Sequence, residues 1–503
     1  MDNEKSKIKL HPVWFYLVLS VFVILLSFVL SLLGFQATKT DISLGSAATS
    51  VLTVESLLSA DGIKYIFSES LNNFLRFTPL ATLIIGLLGV GLSIKVGLLK
   101  SIFNRCTKII PRKTMFFIFS LLCIIMGFSN ELAFVLMIPI SAVLFTEYKR
   151  NQTIGMTMAF VSVAAGTNIN IFLTSIDYSL IELAKPAVKM VDSKYTFGYD
   201  GNLFFTVISS LLLALTITII TDLISRNKPV RIGNDDVELD EKLDKKGFRK
   251  SIITFLVLNA LVIYSIIPNL PLSGFLLDNT QSLYINKLFS ANAPFVNGIL
   301  YIISLILLIC STIYGITTKQ IRNEKDIIKC LSNSLNALGE MLIVFFVASQ
   351  FISLFRYTNI GNVLTVNIFN LISESNASFI LLIILSFVGI AISNLTLTSL
   401  SAKWTLFVPG LIPLFMKSNI TPEFTGAIFR LASSVTNLIS PIFPYFVMYI
   451  GFIGLYSKND YSMDKCYKLI MPYLISVTIL FLFIIFGWYI LKAPIGPNIY
   501  PTL

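Results

Sequence analysis

Residues 379–415 read FILLIILSFVGIAISNLTLTSLSAKWTLFVPGLIPLF, an apolar run interrupted at its centre by Thr398, Ser399, Leu400, Ser401, Ala402, Lys403 and Trp404. A second run, residues 116–145 (FFIFSLLCIIMGFSNELAFVLMIPISAVLF), is interrupted at Ser129, Asn130 and Glu131. Aligning Pro139 with Pro409 places Ser129 on Ser399, Phe134 on Trp404 and Leu136 on Leu406. Crossing a bilayer takes about 20 apolar residues, so neither half of either run crosses comfortably. Irregular backbone at membrane depth survives only inside protein or against water. The runs therefore read as re-entrant helical hairpins, 114–147 and 378–417. A matched pair of interrupted segments in the two halves of a chain points to the binding site of a secondary transporter.

The rest of the composition agrees. Hydrophobic residues make up 55% of the chain and charged residues 13%, with a mean hydropathy of +0.81, too apolar for a soluble protein of this length. The net charge of +11 sits in short loops between apolar runs, which reads as a topology signal and argues against nucleic acid as a partner. Cys106, Cys123, Cys310, Cys330 and Cys466 share no metal-ligand spacing and read as free thiols. The one histidine, His11, lies in the N-terminal tail. Pro12 to Phe35 is long enough to span and lacks a small-residue cleavage site, so no cleavable signal peptide is expected.

Counting apolar runs gives an all-α polytopic membrane protein with about nine transmembrane helices and the two hairpins. The spans fall near 13–36, 74–98, 154–184, 202–225, 250–269, 295–317, 335–357, 424–456 and 468–492. Basic residues test the count. Lys5, Lys7 and Lys9 precede the first span, Lys100, Arg105, Lys108, Arg112 and Lys113 follow the second, and Lys149 and Arg150 follow the first hairpin. Later clusters are Arg226–Lys250, then Lys319, Arg322, Lys325 and Lys329, and finally Lys458, Lys465 and Lys468. If both hairpins return to the side they leave, all of these share one face. The positive-inside rule makes that face cytoplasmic, with the N-terminus inside and the C-terminus outside a cell membrane.

Five regions follow: 1–73 (tail, first span, external loop), 74–201 (first repeat: span, hairpin, interrupted span), 202–334 (central spans with a polar cytoplasmic loop at 226–250), 335–457 (second repeat) and 458–503 (last span and external C-terminus). An odd number of crossings separates the repeats, so the second is inverted. This is the framework of alternating access.

Each hairpin precedes an interrupted span. In the first half Gly166, Thr167, Asn168 and Asn170 lead to Asp177; in the second Arg430, Ser433, Ser434, Thr436 and Asn437 lead to Pro441 and Pro444. Small and amide residues beside Gly or Pro let a helix unwind and present its termini to ions. Charges at membrane depth carry more information than hydroxyls. Arg430 suits a carboxylate because its planar fork binds one bidentately. Asp177 and Glu131 are candidates for the coupling proton. Ser399, Ser401, Lys403, Ser433, Asn437, Asn168 and Asn170 are candidates for lining the substrate site. Sodium, if it is the coupling ion, fits near Ser129, Asn130, Gly166 and Thr436. A bland alternative stands beside these: an Asp177 pair with Arg430 or Lys403 that only fixes packing, and a Trp404 that is core rather than a stacking platform. No HExxH, phosphate loop or nucleophile elbow is present, so no cofactor, resident metal or enzyme activity is expected.

The stretch Ser399-Leu-Ser-Ala-Lys-Trp404, followed by Pro409, Thr421-Pro422-Glu423, Arg430 and Ser434-Val-Thr-Asn437, resembles the p-aminobenzoyl-glutamate transporter (AbgT) family. Phe77-Thr-Pro79-Leu, Gly89-Val-Gly91 and Ile176-Asp177 are similar to that family's first half. The resemblance implies a homodimeric membrane transporter moving p-aminobenzoyl-glutamate or exporting sulfonamide-like antimetabolites on an ion gradient, normally of protons. It carries functional roles to Asp177, Ser401, Trp404, Pro422 and Arg430. Departures fall at Ser433, where the family has an acid, and at Glu131, Ile94 and Tyr178. A sodium-coupled carboxylate or anion carrier of the same architecture is the nearest alternative. A membrane-embedded enzyme, a lipid flippase or a channel would each need features that the residues do not offer.

Overall fold

The computed structural model describes residues 10–43, 46–172, 174–226, 240–290, 292–336, 338–375, 378–456 and 461–503. Lys5, Lys7, Lys9, Lys458 and the 227–239 part of the expected polar loop lie outside the described residues. The chain opens with α1 (Pro12–Leu32), then β1 (Gln36–Ser43) and β2 (Ser46–Thr53), then α2 (Ala60–Ser68) and α3 (Ser70–Leu75). The first half continues through α4 (Thr78–Lys95), α5 (Leu98–Ile109), α6 (Arg112–Met126), α7 (Asn130–Glu147), α8 (Gln152–Gly166) and α9 (Ser175–Val191). The middle holds α10 (Leu203–Ser225), α11 (Glu241–Ile266), α12 (Tyr284–Phe289), α13 (Pro294–Thr317) and α14 (Glu324–Asn336). The second half runs α15 (Gly339–Tyr357), α16 (Ile360–Glu374), α17 (Phe379–Thr396), α18 (Leu400–Lys417), α19 (Pro422–Thr436), α20 (Pro444–Tyr456) and α21 (Met463–Leu491). Eight of the described helices (α1, α4, α7, α10, α11, α13, α15 and α21) are long and apolar enough to cross a membrane; α7 is among them, although the sequence reads as placing it in one half of a run, too short to cross comfortably.

Both interrupted runs fold as helix, short break, helix. α7 and α18 each have 18 residues, start directly after Ser129 and Ser399, and carry Pro139 and Pro409 inside. α8 and α19 each have 15 residues. From α7 to α18, and from α8 to α19, every boundary is displaced by 270 residues. Lys149 and Asn419, also 270 apart, both turn the chain with a left-handed backbone, φ 54° and 63°. The breaks that follow α8 and α19 are tied in matching ways. Asn170 in the first donates to the carbonyls of Ile124 (3.2 Å) and Ile125 (3.0 Å) at the end of α6. Ser440 in the second donates to the carbonyl of Leu395, near the end of α17, at 3.1 Å. A helix end leaves carbonyls without intrahelical partners; here the unwound segment of the neighbouring helix supplies donors to them.

α8 and α19 form the centre of the molecule: every residue of α19, and Thr153–Gly166 of α8, is buried. Tight approach is built on small residues. A Cβ on Gly89 would sit 2.5 Å from the Ser304 carbonyl oxygen, so α4 and α13 meet backbone to backbone. α1 and α11 behave oppositely, leaving Val18, Phe22, Leu25, Leu256 and Leu261 exposed. Such surfaces suit lipid rather than water.

Three features differ from the sequence expectation. The first is a β-hairpin in a protein expected to be all-α: β1 pairs antiparallel with β2 from Gln36–Thr53 to Ser43–Ser46 and lies against α16 and α18. Its Thr- and Ser-rich strands are too polar to register in a hydropathy count. Secondly, α11 starts at Glu241, so the end of the expected 226–250 loop is helical. Asp240 caps it by accepting from the Lys242 N–H (2.9 Å), and Asp244 is held by Ser101, Arg105 and Tyr314. Thirdly, short amphipathic helices (α5, α14 and α16) flank the apolar ones, where a span count sees only loop.

Candidate functional site

The α8–α9 and α19–α20 breaks face each other, and the buried charges collect there. α9 begins beside Thr174, and Asp177 lies in its first turn. One Asp177 carboxylate oxygen, Oδ2, accepts from the Thr174 N–H and hydroxyl, both at 2.6 Å. The other accepts from Nη1 of Arg430, which projects from the middle of α19. Asp177 is 7% exposed and Arg430 4%, so this is a desolvated ion pair with supporting hydrogen bonds. Arg430 Nη1 also approaches the Asn168 carbonyl at 3.5 Å. Asn168 in turn donates to the Ser434 hydroxyl at 3.0 Å.

The pair does not use up the arginine. Arg430 Nε and the Ser433 hydroxyl are both buried without a hydrogen-bond partner among the described residues. Residues three apart share a face of a helix. α19 therefore presents a cationic donor and a hydroxyl, one turn apart, both buried and without a protein partner among the described residues. Leaving buried polar groups unpaired costs about 1–3 kcal/mol each, which a ligand with acceptor oxygens recovers.

α18 forms the wall beside them. Trp404 is 1% exposed, its indole N–H donates to the Leu180 carbonyl of α9 at 2.8 Å, and its ring lies 4.5 Å from that of Phe429 at 46°. The Ser401 hydroxyl is 3.4 Å from that of Ser179 on α9. Ser399 caps α18, accepting from the Ala402 N–H. The Lys403 side chain turns the other way, to Asn394 at the end of α17. Asn394 donates to Thr436 (3.1 Å) and to Asn437 (2.9 Å), and Asn437 donates to the Ala164 carbonyl of α8 at 3.3 Å.

The structure thus joins Asp177, Arg430 and Asn168, with Ser433 one turn along α19 and Trp404 and Ser401 of α18 packed on α9 beside them. It joins Lys403, Thr436 and Asn437 through Asn394 into a second cluster. Asn170 and Gly166 serve the helix packing: a Cβ on Gly166 would stand 2.9 Å from the Ile124 side chain. Ser129, Asn130 and Glu131 stay apart at the α6–α7 break. Glu131 is exposed and makes no hydrogen bond or ion pair among the described residues, and Asn130 keeps a buried, unpartnered Oδ1. Pro422 starts α19, about 12 Å along the helix axis from Arg430. Sequence reasoning missed Asn394, the hub of the second cluster. An amide one turn before the end of an apolar run was the available signal.

The chain is similar to known membrane transporters. The sequence profile of the family described as "AbgT putative transporter family" matches residues 6–503. The p-aminobenzoyl-glutamate transport protein of Escherichia coli (strain K12) is 26% identical over 504 residues, covering 98% of this chain and 94% of that protein. Among solved structures, the Alcanivorax borkumensis YdaH transporter, described as having an unusual topology, is 26% identical over 97% of this chain and 100% of that one, with a TM-score of 0.50. Neisseria gonorrhoeae MtrF, described as illuminating a class of antimetabolite efflux pumps, is 28% identical over 98% of both chains, with a TM-score of 0.49.

Proposed function

This chain belongs to the AbgT transporter family, and from that premise we propose that it is a secondary active transporter of p-aminobenzoyl-glutamate or related aromatic carboxylates, including sulfonamide-like antimetabolites, coupled to a proton gradient. One observation carries the reading: a buried guanidinium that keeps an unpaired N–H beside an unpaired Ser433 hydroxyl, at the meeting of two broken helices. A substrate carboxylate binds there to Arg430 Nε and Ser433. Its aromatic end lies toward Trp404 and Ser401, once α18 moves enough to uncover the indole. Asp177 fixes the orientation of the guanidinium and prevents it from holding an anion too tightly to release.

The broken pairs α6–α7 and α17–α18 act as re-entrant hairpins in two inverted repeats, which alternate access to this point in an elevator-like or related movement. The working unit is a homodimer in the cytoplasmic membrane, with its N-terminus inside. The matching 270-residue displacement of α7 and α8 onto α18 and α19 supports the repeat. The test is flux in proteoliposomes under separately imposed pH and Na⁺ gradients, with p-aminobenzoyl-glutamate, a sulfonamide and a simple dicarboxylate. Saturable flux of an aromatic carboxylate driven by the pH gradient is expected. Flux that needs Na⁺ and ignores pH would overturn proton coupling in favour of a sodium-driven carrier.

A further inference from the structure

We propose that Lys403 carries the coupling proton. The proposal rests on the proton-driven reading above and assigns it to one side chain. Lys403 is 0% exposed, yet it forms no ion pair among the described residues. Its amine donates only to the neutral amide oxygen of Asn394, with the Phe429 ring 5.6 Å away. An ammonium has three donors and no acceptor, and burying one without a counter-charge is among the costliest arrangements a protein contains. The titratable residues with described side chains on the elements packed against α18 are Asp177, Tyr178, Glu182, Lys185 and Lys189 on α9, Glu423 and Arg430 on α19, Glu374 on α16 and Lys39 on β1. None of them pairs with Lys403.

Two buried acids on the neighbouring α9 and α19, Asp177 and Glu423, are less suited to the task. Asp177 already accepts three hydrogen bonds, one from a guanidinium, so protonating it would leave the buried Arg430 charge uncompensated. Glu423 lies at the far end of α19, where it accepts from Tyr195 at 2.7 Å.

Lys403 also sits where movement and proton access can be linked. Lys403 and Asn394 flank the α17–α18 break, and Asn394 fastens that break to Thr436 and Asn437 at the α19–α20 break. Displacing the tip of α17–α18 from α19 parts those bonds and brings the amine to water. At that point the Nζ lone pair accepts a proton from water on one side of the membrane, and the resulting N–H⁺ returns it to water on the other. The positions 270 residues earlier are Ile124 and Ala133, both apolar, so only the second half contains this device.

The experiment uses the full chain in proteoliposomes, comparing wild type, Lys403→Met, Lys403→Arg and Glu423→Gln. Two readouts are taken: accumulation of p-aminobenzoyl-glutamate under a pH gradient, and its counterflow exchange at equal pH. For one coupled proton, a gradient of about one pH unit is worth up to about tenfold accumulation. Both Lys403 variants should lose this accumulation while retaining slower exchange, and Glu423→Gln should keep it. If Met at 403 does not fold, Arg, a fixed cation of similar length, gives the same test. Gradient-driven accumulation surviving in a folded Lys403 variant, or disappearing only in Glu423→Gln, would overturn the proposal. Lost exchange in folded Lys403 variants would also overturn it, making the lysine a substrate anchor. Wild-type flux indifferent to the pH gradient would overturn the proton-driven reading itself, a result distinguishable from the others.

Discussion

Arg430 is committed to Asp177 by one nitrogen while another stays unpaired, and this division of labour makes a sharp prediction. Arg430→Ala removes the proposed substrate anchor, but it also strands Asp177 as a buried, uncompensated charge, at a cost of about 3–5 kcal/mol. The single variant should therefore lose binding and melt earlier. The double variant Arg430→Ala with Asp177→Ala should recover most of the thermal stability and still not bind. Melting curves and ligand binding on the purified proteins check both parts; a single variant as stable as wild type would argue against the desolvated pair. Of the residues carried over from the family resemblance, Asp177 and Arg430 pair directly, Ser401 and Trp404 pack against α9 beside them, and Pro422 lies apart at the start of α19. The packing alternative for Asp177 is met in that the ion pair forms. The pair exists, and what distinguishes it from plain packing is the spare donor beside Ser433.

Among elements, small residues let some helices approach backbone to backbone. α4 and α13 touch through Gly89, whose missing side chain lets the Ser304 carbonyl approach. Gly89→Ala should cost about 1–3 kcal/mol through overpacking, read as a lower melting temperature with no change in substrate preference. Past the far end of α9, the Tyr199 phenol donates to Glu182, and that bond pushes the Tyr199 pKa up to about 12. A phenol raised this way supports the fold fully below pH 10, its ordinary value, and the support fades as pH rises through about 12. In a 295 nm titration of the folded protein, Tyr199→Phe should remove a component titrating near 12; loss of one near 10 would show that the bond does not form in solution.

Across the whole molecule, the last ten residues tie the outer ends of separate elements together. The Thr421 N–H donates to the Pro501 carbonyl at 3.1 Å, the Thr421 hydroxyl to the Tyr500 carbonyl at 2.9 Å, and the Phe205 N–H to the Ile495 carbonyl at 3.0 Å. α10 and α19 are thereby tied to one strap, the segment that follows α21. Gly496 lets it lie flat: a Cβ there would stand 2.5 Å from the Gly201 carbonyl oxygen. Gly496→Val should lift the strap and leave these donors unpaired, at about 1–3 kcal/mol each, and should expose residues 495–503 to carboxypeptidase. Wild-type resistance in the variant would show that the strap tolerates the added side chain.

Much of this protein was determined by its sequence alone. Apolar runs, and the polar clusters that break them, set the helices and the breaks, because unpaired backbone is so costly in lipid that few sequences permit it. The pairing of 129 with 399 and of 139 with 409 could likewise be read directly, since spacing along a helix survives folding. Tertiary structure decided the partners. That Arg430 meets Asp177, that Lys403 turns to Asn394, and that polar strands 36–53 pair into a hairpin over α16 and α18 all depend on contacts between residues distant in the chain. Neither hydropathy nor local spacing encodes such contacts; they arise only when packed helices bring two breaks face to face.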